Sequence, residues 1–147
     1  MERCTILPFD ALTTRQLYAL LALRSRVFVV EQSCVYLDPD GLDESAMHLL
    51  YEQDGELVGY ARMLAFPHGE GMSFGRLVTD PRLRGGGIGW RLVDTALTWL
   101  ATEHPEAPVR ITAQIYLKDF YASFGFAAEG EPFDMDGIIH LQMVKHS

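Results

Sequence analysis

Cysteine is scarce in this chain, which carries only Cys4 and Cys34. Two thiols so placed offer neither a disulfide framework nor the spacing of a metal-ligand set. No metal is therefore expected, and a reducing cytoplasm is the economical location. Long apolar runs are also missing. Nothing approaches the roughly 18 to 20 apolar residues that a membrane span needs. The most apolar early stretch, Leu17 to Val30, is interrupted by Arg24 and Arg26 and has no small-residue cleavage site after it. It reads as a core helix, not a signal peptide. Positive charge is in short supply too: 12 Lys and Arg stand against 20 Asp and Glu, a net charge of −8. That balance argues against a general nucleic-acid binder, because phosphate recognition needs a positive footprint. Basic charge concentrates locally only around Arg82 and Arg84. The acidic surplus suits plain solubility and a cationic partner equally well.

What is present is an ordinary globular composition, 48% hydrophobic and 22% charged over 147 residues. This fits one domain, residues 1–147, with a real core. No repeat or low-complexity linker divides it, and a homodimer is compatible with the sequence. Residues 4–8 read as a first strand. Thr13 and Gln16 have capping-box spacing. Behind them Leu17, Leu20, Leu21, Val27 and Phe28 keep a helical period over 13–31. Segment 33–44 reads as a polar loop. Met47–Glu52 and Leu57–Phe66 are strand-like and joined across Asp54-Gly55, a hairpin signal. The chain then turns at Pro67–Gly71 into a strand over Ser73–Thr79, which Pro81 stops. Ile88, Leu92, Ala96 and Leu100 share one helical face over 88–103. Val109–Gln114 is a buried strand, 118–124 a short helix and Ile138–Val144 a last strand. A hairpin array followed by β-α-β predicts an α/β fold with a mixed, mostly antiparallel sheet flanked by helices.

The segment Arg84-Gly85-Gly86-Gly87-Ile88-Gly89-Trp90 lies between a predicted strand and a predicted helix. Glycines here open backbone conformations closed to other residues and leave no Cβ between the amides and a ligand. The first amides of the following helix have no internal partner and point outward. A diphosphate could accept several of them and meet the positive end of the helix dipole. Arg84 adds a fixed charge. A Walker loop is excluded, since Gly89 is followed by Trp90 and Arg91 and not by Lys-Ser/Thr. A dinucleotide fingerprint fits only partly, through Gly86 and Gly89, and the unit follows a meander rather than opening a βαβ unit. The alternative is a glycine-rich turn that holds nothing. The entropy cost of so many glycines favours a use for them.

This loop resembles the Q/R-x-x-G-x-G/A pattern of the GNAT superfamily of N-acetyltransferases, placed after the strand Gly75-Arg76-Leu77-Val78-Thr79. Phe120-Tyr121-Ala122-Ser123-Phe124-Gly125-Phe126 resembles the same family's Y-x-x-x-G-F. The run Leu23 to Gln32, with Asp38-x-Asp40, His48-Leu49 and the tail Asp136 to His140, is similar to the ElaA-like branch. Nearly the whole chain is covered. The resemblance implies acetyl-coenzyme A as cosubstrate, with the amides of Gly85, Gly86, Gly87, Ile88, Gly89 and Trp90 on its diphosphate. The backbone of Leu77, Val78 and Thr79 would pair with the pantetheine arm where two strands splay. Gln114 stands where many members carry a coenzyme-contacting Asn, which is a departure.

Acetyl transfer to an amine needs a neutral nitrogen, a polarised carbonyl and a proton for the departing thiolate. Backbone amides near Val78 could polarise the carbonyl. Tyr121 sits at the family's acid position and, as a phenol, keeps its proton at neutral pH. Otherwise it only packs between helix and sheet. Glu31, His48 and His140 are candidates for the base or the acceptor site, each with a structural alternative. Glu31 could pair with Arg24 or Arg26, His48 could bond Asp43, and His140 could be a satisfied sheet residue. Ordered water could also take the proton. Asp40 and Asp43, with Asp38, could hold a cationic acceptor or form a solvated loop. Two functions follow: an enzyme acetylating a primary amine of a small molecule or peptide, and an acyl-coenzyme A-binding sensor without turnover.

Overall fold

Eight strands make one sheet in a computed structural model that describes residues 1–147. They are β1 (Glu2–Pro8), β2 (Met47–Gln53), β3 (Glu56–Ala65), β4 (Met72–Thr79), β5 (Val109–Gln114), β6 (Ala127–Ala128), β7 (Phe133–Met135) and β8 (Ile138–Lys145). Their order is β1-β2-β3-β4-β5-β8-β6, with β7 also on β8. Every pairing is antiparallel except β4 with β5. The fold is therefore α/β with a mostly antiparallel mixed sheet, as the sequence predicts. The β2–β3 hairpin turns on Asp54 and Gly55, with φ of 51° and 82°. Positive φ at both central positions matches the right-handed twist of the flanking strands.

Helix α1 (Thr14–Arg24) opens with the capping box. Gln16 N–H donates to Thr13 Oγ1 at 3.0 Å, and Thr13 N–H donates to Gln16 Oε1 at 2.8 Å. The predicted single helix to residue 31 is corrected here, because Ser25–Glu31 is a π-helical segment. One face of the sheet receives Leu20, Leu23 and Val27 against Tyr60 and Val78. The other receives helix α2 (Ile88–Glu103), whose Ile88, Leu92, Val93, Ala96 and Leu100 pack on Leu49, Ala61, Met63 and Phe74. Gly59 sets how closely α2 approaches. A Cβ there would stand 2.9 Å from Ile88 Cγ2 and 3.2 Å from Leu92 Cδ1.

Segment 33–44 keeps an exposed outer side, yet its aspartates Asp38, Asp40 and Asp43 are tied down by arginines. Arg24 is fully buried and donates from Nε to Asp38 Oδ2 and from Nη1 to Asp43 Oδ1, both at 2.8 Å. Arg62 Nη1 reaches Asp40 Oδ1 at 2.8 Å and Asp43 Oδ1 at 2.9 Å. Arg76 Nη2 donates to the Asp38 carbonyl at 2.9 Å, and its guanidinium lies 5.6 Å over the Tyr36 ring. The segment is thereby bolted to α1, β3 and β4. Burying such charge is tolerable only because each one is paired.

Candidate active site

Two irregularities in β4 build the site. Tyr60 pairs with Val78 and Arg62 with Gly75, so β4 takes three steps where β3 takes two. The extra residue is a β-bulge, with Arg76 at φ 50°. It resets the alternation of side chains. Phe74 and Leu77 both pack toward α2, while Val78 joins the α1 cluster and Arg76 reaches the ion pairs. Next to this bulge the sheet parts. The parallel strands β4 and β5 share one register pair, Met72 with Val109. Past it the edge of β4 from Phe74 to Thr79 has no ladder partner on the β5 side, so main-chain groups of Leu77, Val78 and Thr79 line an opening.

The glycine loop stands at the end of β4. Asp80 ends that strand, accepting from Arg82 N–H at 3.0 Å, and Pro81 follows. Gly85 and Gly87 take φ of 87° and 86°, and Gly87 caps α2. Arg91 N–H to the Gly87 carbonyl, 3.1 Å, is the first bond of the helix, so the amides of Ile88, Gly89 and Trp90 are free. A Cβ built at Gly85 or Gly87 would meet no atom within 4 Å, and one at Gly89 would meet only Thr79 Oγ1, at 3.9 Å. The space over these amides is open to a ligand group, and that fits a diphosphate. The expected basic patch is not free charge. Arg82 is held by Asp80 and Glu56, while Arg84 forms a two-point pair with Glu31 at 2.9 and 2.5 Å.

Tyr121, on the short helix α3 (Lys118–Ala122), is 6% exposed and packs on Phe74, Phe120 and Phe126. Burial is the main cause that pushes its phenol well above the ordinary tyrosine range, with the nearby Tyr116 hydroxyl adding to it. Tyr116 is also a neighbour of Arg84. It is 71% exposed on the turn after β5. Nothing in the sequence singles it out, since only the folding of that turn toward the glycine loop brings it here. Gln114 and Gln32 exchange side-chain bonds at 3.1 and 3.2 Å across the same mouth. His140 lies opposite Gln114, with Nδ1 2.8 Å from the Ile138 carbonyl oxygen and the Phe133 ring stacked on it.

The structure thus brings together the glycine loop, Leu77–Thr79, Tyr121, Glu31, Gln114 and His140. It does not bring the others in as free groups. His48 is fully buried, with Nε2 2.8 Å from the Asp43 carbonyl and Nδ1 2.6 Å from the Tyr60 hydroxyl. The carbonyl can only accept, so Nε2 carries the proton and Nδ1 accepts from Tyr60. Burial, foremost, lowers the His48 pKa and keeps the ring neutral. Asp40 and Asp43 are taken up by Arg24 and Arg62. Although burial opposes their ionisation, the hydrogen bonds from those guanidinium groups hold both carboxyls below the usual range. Glu31 pairs with Arg84 and not with Arg24 or Arg26.

At the parting of the sheet, the β4 bulge and a free-amide loop heading a helix stand together. The chain belongs to the GNAT acetyltransferase family: the family model described as "Acetyltransferase (GNAT) domain" matches residues 28–147. It is 42% identical to Protein ElaA of Escherichia coli K12 over 137 residues, which cover 91% of this chain and 90% of that protein. It is likewise 42% identical to the UPF0039 protein sll0451 of Synechocystis, covering 92% of this chain and 90% of that one. The crystal structure of E. coli ElaA superposes with a TM-score of 0.93 at 39% identity, covering 99% of this chain and all of that one. An acyl-CoA N-acyltransferase from Pseudomonas aeruginosa gives 0.91 at 37% identity, with 97% and 99% covered.

Proposed function

We propose that the protein transfers the acetyl group of acetyl-coenzyme A to a primary amine of a small molecule or peptide. The observation that carries this is the free-amide loop placed at the mouth of the parted strands β4 and β5. A diphosphate on the amides of Gly85 to Trp90 would lay an extended arm along Leu77–Thr79. Acetyl-coenzyme A supplies the activated thioester. Backbone N–H groups beside Val78 polarise its carbonyl. As the amine nitrogen forms the C–N bond and the C–S bond breaks, Tyr121 gives its proton to the departing sulfur. The proton lost by the amine passes to water, and water restores the phenol. A raised pKa keeps Tyr121 protonated for this role.

The test is release of free thiol from acetyl-coenzyme A with a panel of primary amines, among them spermidine, tryptamine and short peptides. Tyr121→Phe keeps the ring and its packing but removes the proton. Single-turnover rates should fall by about 10²- to 10⁴-fold while coenzyme binding persists. Parent-rate turnover by Tyr121→Phe would make Tyr121 a packing residue. Coenzyme binding without transfer to any amine would favour the sensor reading.

A further inference from the structure

Three arginines flank the glycine loop, and two are committed elsewhere. Arg82 is bound to Asp80 and Glu56, and Arg91 to Glu2 and the Tyr51 hydroxyl. Arg84 is the remaining cation beside the free amides, and both its terminal nitrogens are taken by the two oxygens of Glu31. The pair bridges 53 positions of sequence. Its side chains are 47% and 39% exposed, so a dissolved anion can compete for the guanidinium. Glu31 also ends the π-helical segment, and the next residue, Gln32, reaches across the mouth to Gln114. The carboxylate therefore stands at the mouth between the glycine loop and the Gln32–Gln114 pair. Asp38 and Asp43 are locked to arginines below the surface and Asp40 is shared by Arg62 and Arg76, whereas Glu31 has Arg84 as its one partner and can be released.

We infer that Glu31 is a stand-in for the coenzyme's diphosphate on Arg84, displaced when the coenzyme binds and then free to hold the ammonium end of the acceptor. This rests on the reading of the glycine loop as the diphosphate site. A diphosphate carries more charge than one carboxylate and matches the guanidinium fork equally well. An exposed ion pair is weak enough to be exchanged. The handover makes the acceptor site complete only after the coenzyme is bound. By linkage, the coenzyme and the amine strengthen each other's binding.

The handover predicts opposite effects of one substitution on the two ligands. Glu31→Gln removes both the competitor for Arg84 and a negative charge facing the diphosphate. Titration calorimetry should show coenzyme A binding tighter by about threefold or more. With the fastest amine of the panel, KM should rise about tenfold or more while single-turnover kcat at saturation stays within about threefold. Glu31→Asp, which keeps the charge, should recover most of the parent amine KM. Unchanged or weaker coenzyme A affinity in folded Glu31→Gln overturns the inference, and so does an unchanged amine KM. Failure of the parent protein to bind coenzyme A would instead remove the diphosphate reading itself.

Discussion

Arg24 is the residue whose burial most constrains its surroundings. Its guanidinium is inaccessible to water, and the bonds and charges of Asp43, Tyr60 and Asp38 raise its pKa despite that burial. A cation that cannot discharge draws carboxylates to it, and so Asp38 and Asp43 become its anchors, while Asp40 is held nearer the surface by Arg62 and Arg76. The sequence left these aspartates open between solvated loop and acceptor site, because their arginine partners lie 14 to 38 positions away. The network predicts an acid response. His48 is held neutral with a lowered pKa, and Asp40 and Asp43 are held ionised below their ordinary values. In each case the unfolded chain binds more protons. The His48 contribution is fully present above its unfolded value of about 6.5 and is lost as pH falls below it. The aspartate contributions are present above about 4 and are lost below that. Urea unfolding across pH 8 to 3 should show stability falling in these two windows, and a flat profile would contradict the assignment.

At the level of elements, local chemistry shows which parts of the fold were readable in advance. The capping box of Thr13 and Gln16, the Asp54-Gly55 turn, the glycine loop and the apolar face of α2 depend on near neighbours, and each formed as expected. The π-helical turn was not legible, because Ser25–Glu31 keeps an ordinary helical pattern and its widening depends on what it packs against. Strands β6 and β7 are two and three residues long and exist by pairing on β8. The bulge at Arg76 was hidden as well, since it shows only against β3. Of the candidate site, the amide loop and Tyr121 were readable by motif. The Glu31–Arg84 pair and Tyr116 were not, being products of long-range folding. Gly59 is an element-level determinant with no local signal. Gly59→Val should force α2 off β3 and cost about 1 to 3 kcal/mol, read as a lower urea midpoint with an unchanged slope. Full parent stability would show that α2 does not rest on Gly59.

For the whole molecule, the two helix layers do different work around one parted sheet. The α2 face supplies the free amides and most of the apolar core, including Tyr121. The α1 face supplies the ion-paired segment and, through Glu31 and Gln32, the far side of the mouth. No helix is long and apolar enough to cross a membrane. On the proposed function, the loop between these layers holds acetyl-coenzyme A. Titration calorimetry of acetyl-coenzyme A into the parent protein and into Gly87→Val puts this to the test. Valine puts a side chain into the open space above the amides and opposes the 86° φ at the cap. Saturable one-to-one binding should weaken by about tenfold or more, equal to about 1.4 kcal/mol, in a variant with an unchanged circular-dichroism spectrum. Equal affinity in the two folded proteins, or no binding by the parent, would contradict the claim.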